Sequence, residues 1–393
     1  MHYWRELRGV IAVILTAAIA CAPARALVAL NDSHDRIFVN GNFGISRDSN
    51  IFANSDNTGD IVYTTGVSIE YLRRAGWIGV NASIAGNASR YGELKSENFS
   101  NPSYSMELTK QSGRTTGSLT LSGARESRAD SAVNVRSSSW NYNAGLNFKY
   151  PIVERFTLAG NLGYSAREYI EQTLLANLST YSSSSDLFYL LSNERDLVGG
   201  YRYRYSESSR STSTTDHSVS GGLSGRIIRG INGSVRVGYQ IRTPYGHPAN
   251  TGSFRGLTAS VATFYAVNRK ISINGSVSKD FSTTATDTSV DTTTASIETG
   301  YTHNRHWTFS GGAGWGDSRF LGQPGRIVLD PGPPVIFGKN RRDNHANWHA
   351  GLACSLNEHL KANLTYGYFI NWSTIPFADF VRNSWGLTFS SRW

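Results

Sequence analysis

The chain ends with Trp385-Gly386-Leu387-Thr388-Phe389-Ser390-Ser391-Arg392-Trp393, in which apolar and polar side chains alternate almost to the last residue. Successive side chains of a β-strand point to opposite faces of the sheet. One face carries Trp385, Leu387, Phe389 and Trp393, and the other carries Thr388, Ser390 and Arg392. The stretch predicts a strand with one face in an apolar medium and the other in water, although an edge strand of a water-soluble sheet would show the same alternation.

The same period of two continues through nearly the whole chain. Beyond the N-terminal segment there is no run of about 20 apolar residues, the length that a membrane-crossing helix needs. We count about eighteen alternating segments of roughly 9 to 15 residues, near the length of a tilted membrane strand. Because backbone polar groups in lipid need internal partners, strands that cross a membrane must close into a barrel.

The connections between these segments alternate in length. Tight turns such as Arg229-Gly230 and Asn304-Arg305 occur at every second connection, and most of the others are longer and polar, as at 92–101 and 283–291. A β-sandwich or a propeller has no reason to sort its connections in this way. The pattern predicts an all-β fold, a transmembrane antiparallel up-and-down β-barrel of about 18 strands, with short periplasmic turns, long extracellular loops and both termini in the periplasm.

The first residues have the pattern of an export signal. Arg5 and Arg8 precede a short uncharged, mostly apolar run, and Ala24-Arg25-Ala26 fits the small-x-small rule for signal peptidase. We predict a signal peptide at residues 1–26 and a single outer-membrane β-barrel domain at 27–393, in a Gram-negative bacterium.

Cleavage after Ala24 and lipidation at Cys21 are the alternatives. After cleavage only Cys354 is left, so the mature chain can form no intrachain disulfide and no cysteine metal site. The precursor has a formal charge of +9, and the loss of three arginines and one glutamate with the signal leaves +7. Because no basic cluster accompanies this excess, we expect it to attract anions to the lumen or the surface rather than to bind nucleic acid.

Tyr201-Arg202-Tyr203-Arg204-Tyr205 is the clearest single strand of the chain. Arginine on the lipid face of a barrel costs about 2–4 kcal/mol at the bilayer midplane. We therefore expect Arg202 and Arg204 to line the lumen and the tyrosines to face lipid. The same rule, applied to the next two predicted strands, predicts that further polar residues face the lumen. These additional lumen-lining candidates are Arg226, Arg236, Gln240 and Arg242.

Together these candidates form a basic stripe on neighbouring strands. The functional interpretation is the attraction of anionic solutes. The alternative is that any wide barrel needs polar residues inside, and that nearby aspartate or glutamate side chains neutralise the arginines.

The longest connection, residues 322–342, combines four prolines with apolar residues. Prolines stiffen it, and Val335-Ile336-Phe337 is a run that a freely solvated loop would not favour. One hypothesis is that it folds inward as a constriction or plug. The alternatives are that it lies on the rim or that it pairs as a β-extension.

Sequence patterns of catalysis are not found. The chain has no P-loop, no dinucleotide fingerprint and no covalent haem motif. His345 and His349 would lie two pleats apart on one face of a strand, too far apart to share a zinc ion without a bend. We predict no catalytic, cofactor-binding or metal-binding residues, and a chain that is not an enzyme.

Three short motifs resemble a known group of proteins. They are Asp48-Ser49-Asn50-Ile51-Phe52, Tyr71-Leu72-Arg73-Arg74 with Gly66 before it, and Gly200-Tyr201-Arg202-Tyr203-Arg204. In them the chain resembles the outer-membrane β-barrel porin families of Gram-negative bacteria, some of whose members accompany exopolysaccharide export. The resemblance implies a pore or a role with surface polymers, and it assigns no binding residue.

The leading functional hypothesis is a porin-like pore for small hydrophilic or anionic solutes, or for saccharide or exopolysaccharide. A structural or interaction barrel, acting as a sleeve or surface component for a partner protein, is the second. An enzyme would need an acid, base or nucleophile cluster near the outer rim. The partners we expect are the lipid bilayer, lipopolysaccharide and the outer-membrane assembly machinery, which would bind the C-terminal strand. We expect no cofactor and no nucleic acid.

Overall fold

The computed structural model describes residues 28–30, 34–74, 76–130, 135–170, 175–210, 212–246, 252–322, 326–327, 335–336, 341–375 and 378–393. The predicted signal peptide at 1–26 lies outside these residues. Most of the connection at 322–342 lies outside them as well, so the hypothesis of an inward-folded plug there stays a prediction.

Eighteen long strands form the wall of a barrel. They are β2 (Asp35–Asp48), β3 (Asp60–Arg73), β4 (Gly79–Tyr91), β5 (Phe99–Lys110), β6 (Thr116–Asp130), β7 (Val135–Val153), β8 (Phe156–Ile170), β9 (Leu178–Ser192), β10 (Arg195–Ser208), β11 (Ser213–Ile228), β12 (Ile231–Tyr245), β13 (Phe254–Ala266), β14 (Ile271–Thr283), β15 (Ser289–Thr302), β16 (Trp307–Leu321), β19 (Arg342–Ser355), β20 (Leu360–Ser373) and β21 (Phe380–Arg392). The predicted strand number is confirmed.

The remaining elements are short. Strand β1 (Val28–Leu30) pairs with β2, and a 3-10 helix (Lys95–Glu97) lies between β4 and β5. Within the longest connection, β17 (Arg326–Ile327) and β18 (Val335–Ile336) pair with each other. No α-helix among the described residues is long and apolar enough to cross a membrane.

The barrel closes between its first and last long strands. Each wall strand pairs antiparallel with the next one along the chain, and β21 pairs with β2. The closing register runs from Asn40 opposite Arg392 to Asp48 opposite Ser384. Because the first and last long strands pair with each other, the sheet has no edge strand, as a barrel in lipid requires. The predicted fold class, a transmembrane antiparallel up-and-down barrel, is confirmed.

The two ends of the barrel differ in their connections. At one end, here called the turn end, eight tight turns join the strands. At Arg229-Gly230 the turn has two residues, and Gly230 has φ +85°, a conformation that such hairpins require and that glycine adopts without strain. The opposite end, here called the loop end, carries the longer connections. In outer-membrane barrels the turns lie on the periplasmic side.

The outer face of the wall is apolar. Val67, Ile84 and Val219 point away from the barrel with 59 %, 72 % and 64 % of their surface exposed. Aromatic side chains are exposed on this face as well. Tyr265, Tyr301 and Trp307 lie near the turn end, and Tyr239, Trp315 and Trp348 lie about halfway along their strands. An apolar outer surface that carries aromatic side chains is what a bilayer requires.

Val67 and Ser68 are neighbours on β3 that face opposite sides of the wall. Val67→Arg places a charge against lipid, and we expect it to lower the free energy of unfolding by about 2–4 kcal/mol. Ser68→Arg places the same charge on the lumenal face, where we expect a change within about 0.5 kcal/mol. Denaturant titration of the barrel refolded in lipid vesicles measures both values. Equal losses would contradict the assignment of the two faces.

Candidate functional site

The six predicted lumenal residues lie on three adjacent strands. Odd-numbered residues of these strands, such as Tyr201, Val219 and Val237, are exposed on the apolar outer face, so the even-numbered residues face inward. Strand β10 carries Arg202 and Arg204, β11 carries Arg226, and β12 carries Arg236, Gln240 and Arg242.

Arg204 and Arg242 share one carboxylate, that of Asp216 on β11. Arg204 Nε donates to Asp216 Oδ2 at 2.6 Å, and Arg242 Nε lies 3.3 Å from Asp216 Oδ1. The strand register brings the three together, since Asp216 is opposite Arg204 on one side and opposite Arg242 on the other. Asp216 and Arg242 are 1 % and 0 % exposed, so each charge depends on the others for compensation.

A second carboxylate reaches this cluster from a distant strand. Asp280 of β14 accepts hydrogen bonds from Arg202 at 2.8 Å and from Arg204 at 3.2 Å. Strands β11, β12 and β13 lie between β10 and β14. Side chains from strands this far apart converge only on the concave side of a barrel wall, so these hydrogen bonds lie within the lumen.

The other two arginines lie apart from the cluster, closer to the turn end. Arg236 donates to Asp186 of β9 at 2.8 Å, and its guanidinium carbon is 5.6 Å from the ring centre of Phe188. Arg226 donates to both carboxylate oxygens of Glu194 at 2.8 and 2.7 Å. Every predicted arginine therefore has a carboxylate partner, as in the neutralised alternative drawn from the sequence.

Sequence reasoning did not name these carboxylates individually. The signal that could have found three of them is their even position in strands whose odd positions are largely apolar. They are Asp186, Asp216 and Asp280. Glu194 lies in a tight turn, where strand alternation gives no information.

Gln240 lies on β12 between Arg236 and Arg242 and is fully buried. Neither its Oε1 nor its Nε2 has a hydrogen-bond partner within the described part of the chain. The residues opposite Gln240 on the neighbouring strands are Ser218 and Gly256. Both are too small to shield its side chain from solvent. A lumenal side chain with no exposed surface requires an additional element that covers the wall at this height.

That element is the loop-end part of β14 and β15, residues 280–291, which we call the inner hairpin. The β14–β15 ladder continues to Thr283 opposite Ser289. The β13–β14 ladder, in contrast, stops at Ala259 opposite Lys279. Beyond this point β14 separates from β13 and lies across the lumenal side of the neighbouring strands, while residues 289–291 of β15 stay paired with residues 319–321 of β16.

Contacts along the inner hairpin define its path. Arg242 donates to the carbonyl oxygen of Ser282 at 2.6 Å. At the tip, the carbonyl oxygen of Ala285 accepts a hydrogen bond at 2.8 Å from the N–H of Ala176, which lies between β8 and β9. Thr212, between β10 and β11, donates to Asp287. The inner hairpin therefore lies over the loop-end part of the wall from β14 to the β8–β9 connection.

A polar niche of about 310 Å³ lies in the wall formed by β9 to β13, on the turn-end side of the inner hairpin. Its hydroxyl-bearing residues are Ser184, Ser218, Ser220, Ser234, Thr258 and Ser260. Arg202, Arg236 and Asp186 supply its charges. Hydroxyl groups both donate and accept hydrogen bonds, and guanidinium groups bind anions, so the niche can hold a polar solute in several orientations.

On β16, two glycines leave space that the side chains of neighbouring strands fill. Gly312 and Gly316 of β16 face the lumen, and an added Cβ would lie 2.3 Å from the carboxylate of Glu298 and 2.1 Å from the ring of His345, respectively. His349 Nε2 is 3.0 Å from Glu298 Oε2. Over the ranges that the structure describes, no group of three or more His, Cys, Asp or Glu side chains has an arrangement that could hold a metal ion.

Comparison with known proteins supports the fold. No protein-family model matches the chain, and no curated protein matches its sequence. The FrpB iron transporter from Neisseria meningitidis, F5-1 variant in its apoprotein form, matches with a TM-score of 0.52 and 12 % identity over 87 % of this chain and 62 % of that one. OpdK from Pseudomonas aeruginosa, solved with vanillate, matches with a TM-score of 0.50 and 9 % identity over 91 % of this chain and 99 % of that one.

These matches have a limited meaning. The chain spans about three fifths of the length of the FrpB chain. At identities this low the likeness extends to the fold alone. The chain therefore shares the β-barrel fold of these two proteins, and its own site residues must carry the functional argument.

The Asp216 cluster allows a matched test of buried and exposed charge pairs. Asp216→Asn removes the carboxylate shared by two buried arginines, and we expect a loss of about 3–5 kcal/mol in the free energy of unfolding. Glu194→Gln removes one carboxylate from a pair whose side chains are 57 % and 38 % exposed, and we expect a loss within about 1 kcal/mol. Denaturant titration in vesicles measures both. Similar losses for the two variants would show that Asp216 is not a buried anchor.

Proposed function

We propose that the chain forms an outer-membrane channel through which small hydrophilic solutes pass passively. The observation that carries this proposal is the hydroxyl-lined niche, with Arg202 and Arg236, on the inner face of a closed barrel. Barrels with this many strands are wide enough to leave an aqueous bore between their side chains. A polar inner wall lowers the cost of moving a hydrated solute through the bilayer.

The charge balance of the lumenal stripe favours a weak preference for anions. Five arginines face four carboxylates there, since Arg204 shares both of its partners with other arginines. Arg202 Nε has no hydrogen-bond partner within the described residues, and the Arg202 side chain is 34 % exposed. We propose that Arg202 and Arg236 give passing anionic groups a transient contact.

Saccharides fit the same lining. Serine and threonine hydroxyls can replace the water that hydrates a sugar, because they donate and accept hydrogen bonds at similar spacing. Phe188, which does not itself line the niche, adds an apolar ring beside Arg236. We extend the proposal to saccharides, including segments of exopolysaccharide, on this lining and on the resemblance of the sequence motifs.

The remaining partners follow from the outer face and the last strand. We propose that the apolar outer face contacts the bilayer and lipopolysaccharide, and that the outer-membrane assembly machinery binds β21 during insertion. The N-terminal signal would direct export. We propose no enzymatic role, no cofactor and no nucleic-acid partner.

The inner hairpin favours a second candidate. An element on the lumenal side of the wall takes up part of the bore, and Ala285 of the inner hairpin reaches Ala176 beyond β10 to β13. A structural or interaction barrel, acting as a sleeve for a partner protein, could carry such an obstruction without loss of function. In that case the isolated barrel would be folded but electrically silent.

Conductance of the refolded mature protein in a planar bilayer tests the proposal. We expect stable current steps and a reversal potential, under a salt gradient, on the anion-selective side. Arg202→Gln with Arg236→Gln removes two lumenal positive charges and should move the reversal potential toward cation selectivity. Arg255→Gln removes the same charge from the exposed outer face of β13 and should leave it unchanged.

Two results would count against the channel. A folded barrel that carries no current would transfer support to the sleeve. Current steps with equal reversal potentials for the double variant and for the Arg255→Gln control would support a pore. They would show that Arg202 and Arg236 do not set its anion preference.

A further inference from the structure

Strand β13 extends past the end of its ladder with β14. Residues 254–258 pair with β12 on one side, where Phe254 is opposite Arg242. On the other side they have no strand partner within the described part of the chain, because the β13–β14 ladder ends at Ala259 and Lys279. An open strand edge presents unpaired N–H and C=O groups and can accept another strand. We call residues 254–258 the β13 edge.

The inner hairpin carries a sequence that matches this edge in register. Continuing the ladder beyond Ala259 and Lys279 adds the pairs Thr258–Asp280, Leu257–Phe281, Gly256–Ser282 and Arg255–Thr283. Leu257 is 61 % exposed on the outer face, opposite Tyr239 of β12. Phe281 would lie beside them on the outer face of the wall. Asp280 would then face the lumen, as alternation requires.

The same residues also have partners in the inward position. Phe281 is 3 % exposed, and its ring lies 3.3 Å from the place that a Cβ of Gly256 would take. Its carbonyl oxygen accepts a hydrogen bond from Arg204 at 2.5 Å. Arg242 donates to Thr283 Oγ1 at 2.7 Å. The inner hairpin therefore has two positions in which its apolar side chain and its backbone are satisfied.

The buried charges tolerate either position. Without the inner hairpin, Arg204 keeps its hydrogen bond to Asp216, and Arg242 keeps both Asp216 and the hydroxyl of Thr214, at 3.0 Å. Arg204 loses its second carboxylate, Asp280, and Arg202 loses its only one. Water can solvate Arg202 because its side chain is 34 % exposed. Movement of the inner hairpin does not strand a buried charge.

We infer that the inner hairpin is a gate, which moves about Lys279 between the inward position and a position in the wall, paired with the β13 edge. Residues 319–321 of β16 stay paired with residues 289–291 and move with the gate. Thr258 Oγ1 donates to the carbonyl oxygen of Lys279 at 2.9 Å and holds the pivot. Inward, the gate covers Gln240 and lies over the niche. In the wall, it leaves the mouth open and the niche accessible from outside. This inference rests on the channel function proposed above and names how passage is controlled.

Cysteine pairs can lock each position in the full mature chain, with Cys354→Ala to remove the native thiol. Thr212→Cys with Asp287→Cys joins two side chains that touch in the inward position. Gly256→Cys with Ser282→Cys joins residues that are opposite each other only when the hairpin is in the wall. Antiparallel partners have Cα atoms about 4.5–5.5 Å apart, within the range that a disulfide spans.

We expect oxidation of the folded protein in vesicles to form either bond, as seen by gel mobility and mass. In planar bilayers, the inward-locked protein should lose conductance relative to its reduced form. The wall-locked protein should show a severalfold rise, and reductant should reverse both changes. The single variant Gly256→Cys controls for the added side chain beside Phe281.

Two outcomes would overturn the gate. If the wall bond never forms while the inward bond forms fully, the inner hairpin is static. If both bonds form and conductance is the same in all states, the inner hairpin moves without controlling passage. A failure of the channel function would be distinct, because folded protein would then carry no current even when reduced or wall-locked, and that result would remove both proposals.

Discussion

The whole structure depends on the pairing of backbone polar groups. In a bilayer no water is available to hydrogen-bond a free N–H or C=O group. A sheet that crosses the bilayer is therefore stable only if it closes on itself. The ladder between β2 and β21, from Asn40–Arg392 to Asp48–Ser384, completes this closure. Once the wall is closed, alternation assigns each side chain to lipid or to the lumen, and the exposed aromatic residues, the lumenal arginines and the niche follow from strand register.

Much of the architecture was predictable from the sequence, because closure leaves strong local signals. Alternation along Tyr201-Arg202-Tyr203-Arg204-Tyr205 defines a strand and its two faces, and tight turns such as Arg229-Gly230 fix where strands end. These signals depend on neighbours within a few residues. They predicted the eighteen strands and the sorting of connections by length, and both are observed.

The arrangement within the lumen depends on contacts that no local pattern encodes. Asp280 meets Arg202 and Arg204 across a separation of 78 and 76 residues. The inner hairpin also keeps the same alternation whether it lies in the wall or inside it, since Phe281 is flanked by Asp280 and Ser282 in both cases. Sequence reasoning instead looked for a constriction in the longest connection, where prolines and apolar residues stand out.

The end of the β13–β14 ladder at Ala259 and Lys279 also bears on the geometry of the barrel as a solid body. In a fully closed cylinder, the strand number and the stagger between strands fix the diameter. On the turn-end side of this pair the ring is complete, so its circumference is constant. On the loop-end side β14 overlaps the lumenal face of β13 instead of pairing with it, so no ladder between these two strands fixes the circumference there. The barrel thus combines a ring of paired strands at one end with an overlap of two strands at the other.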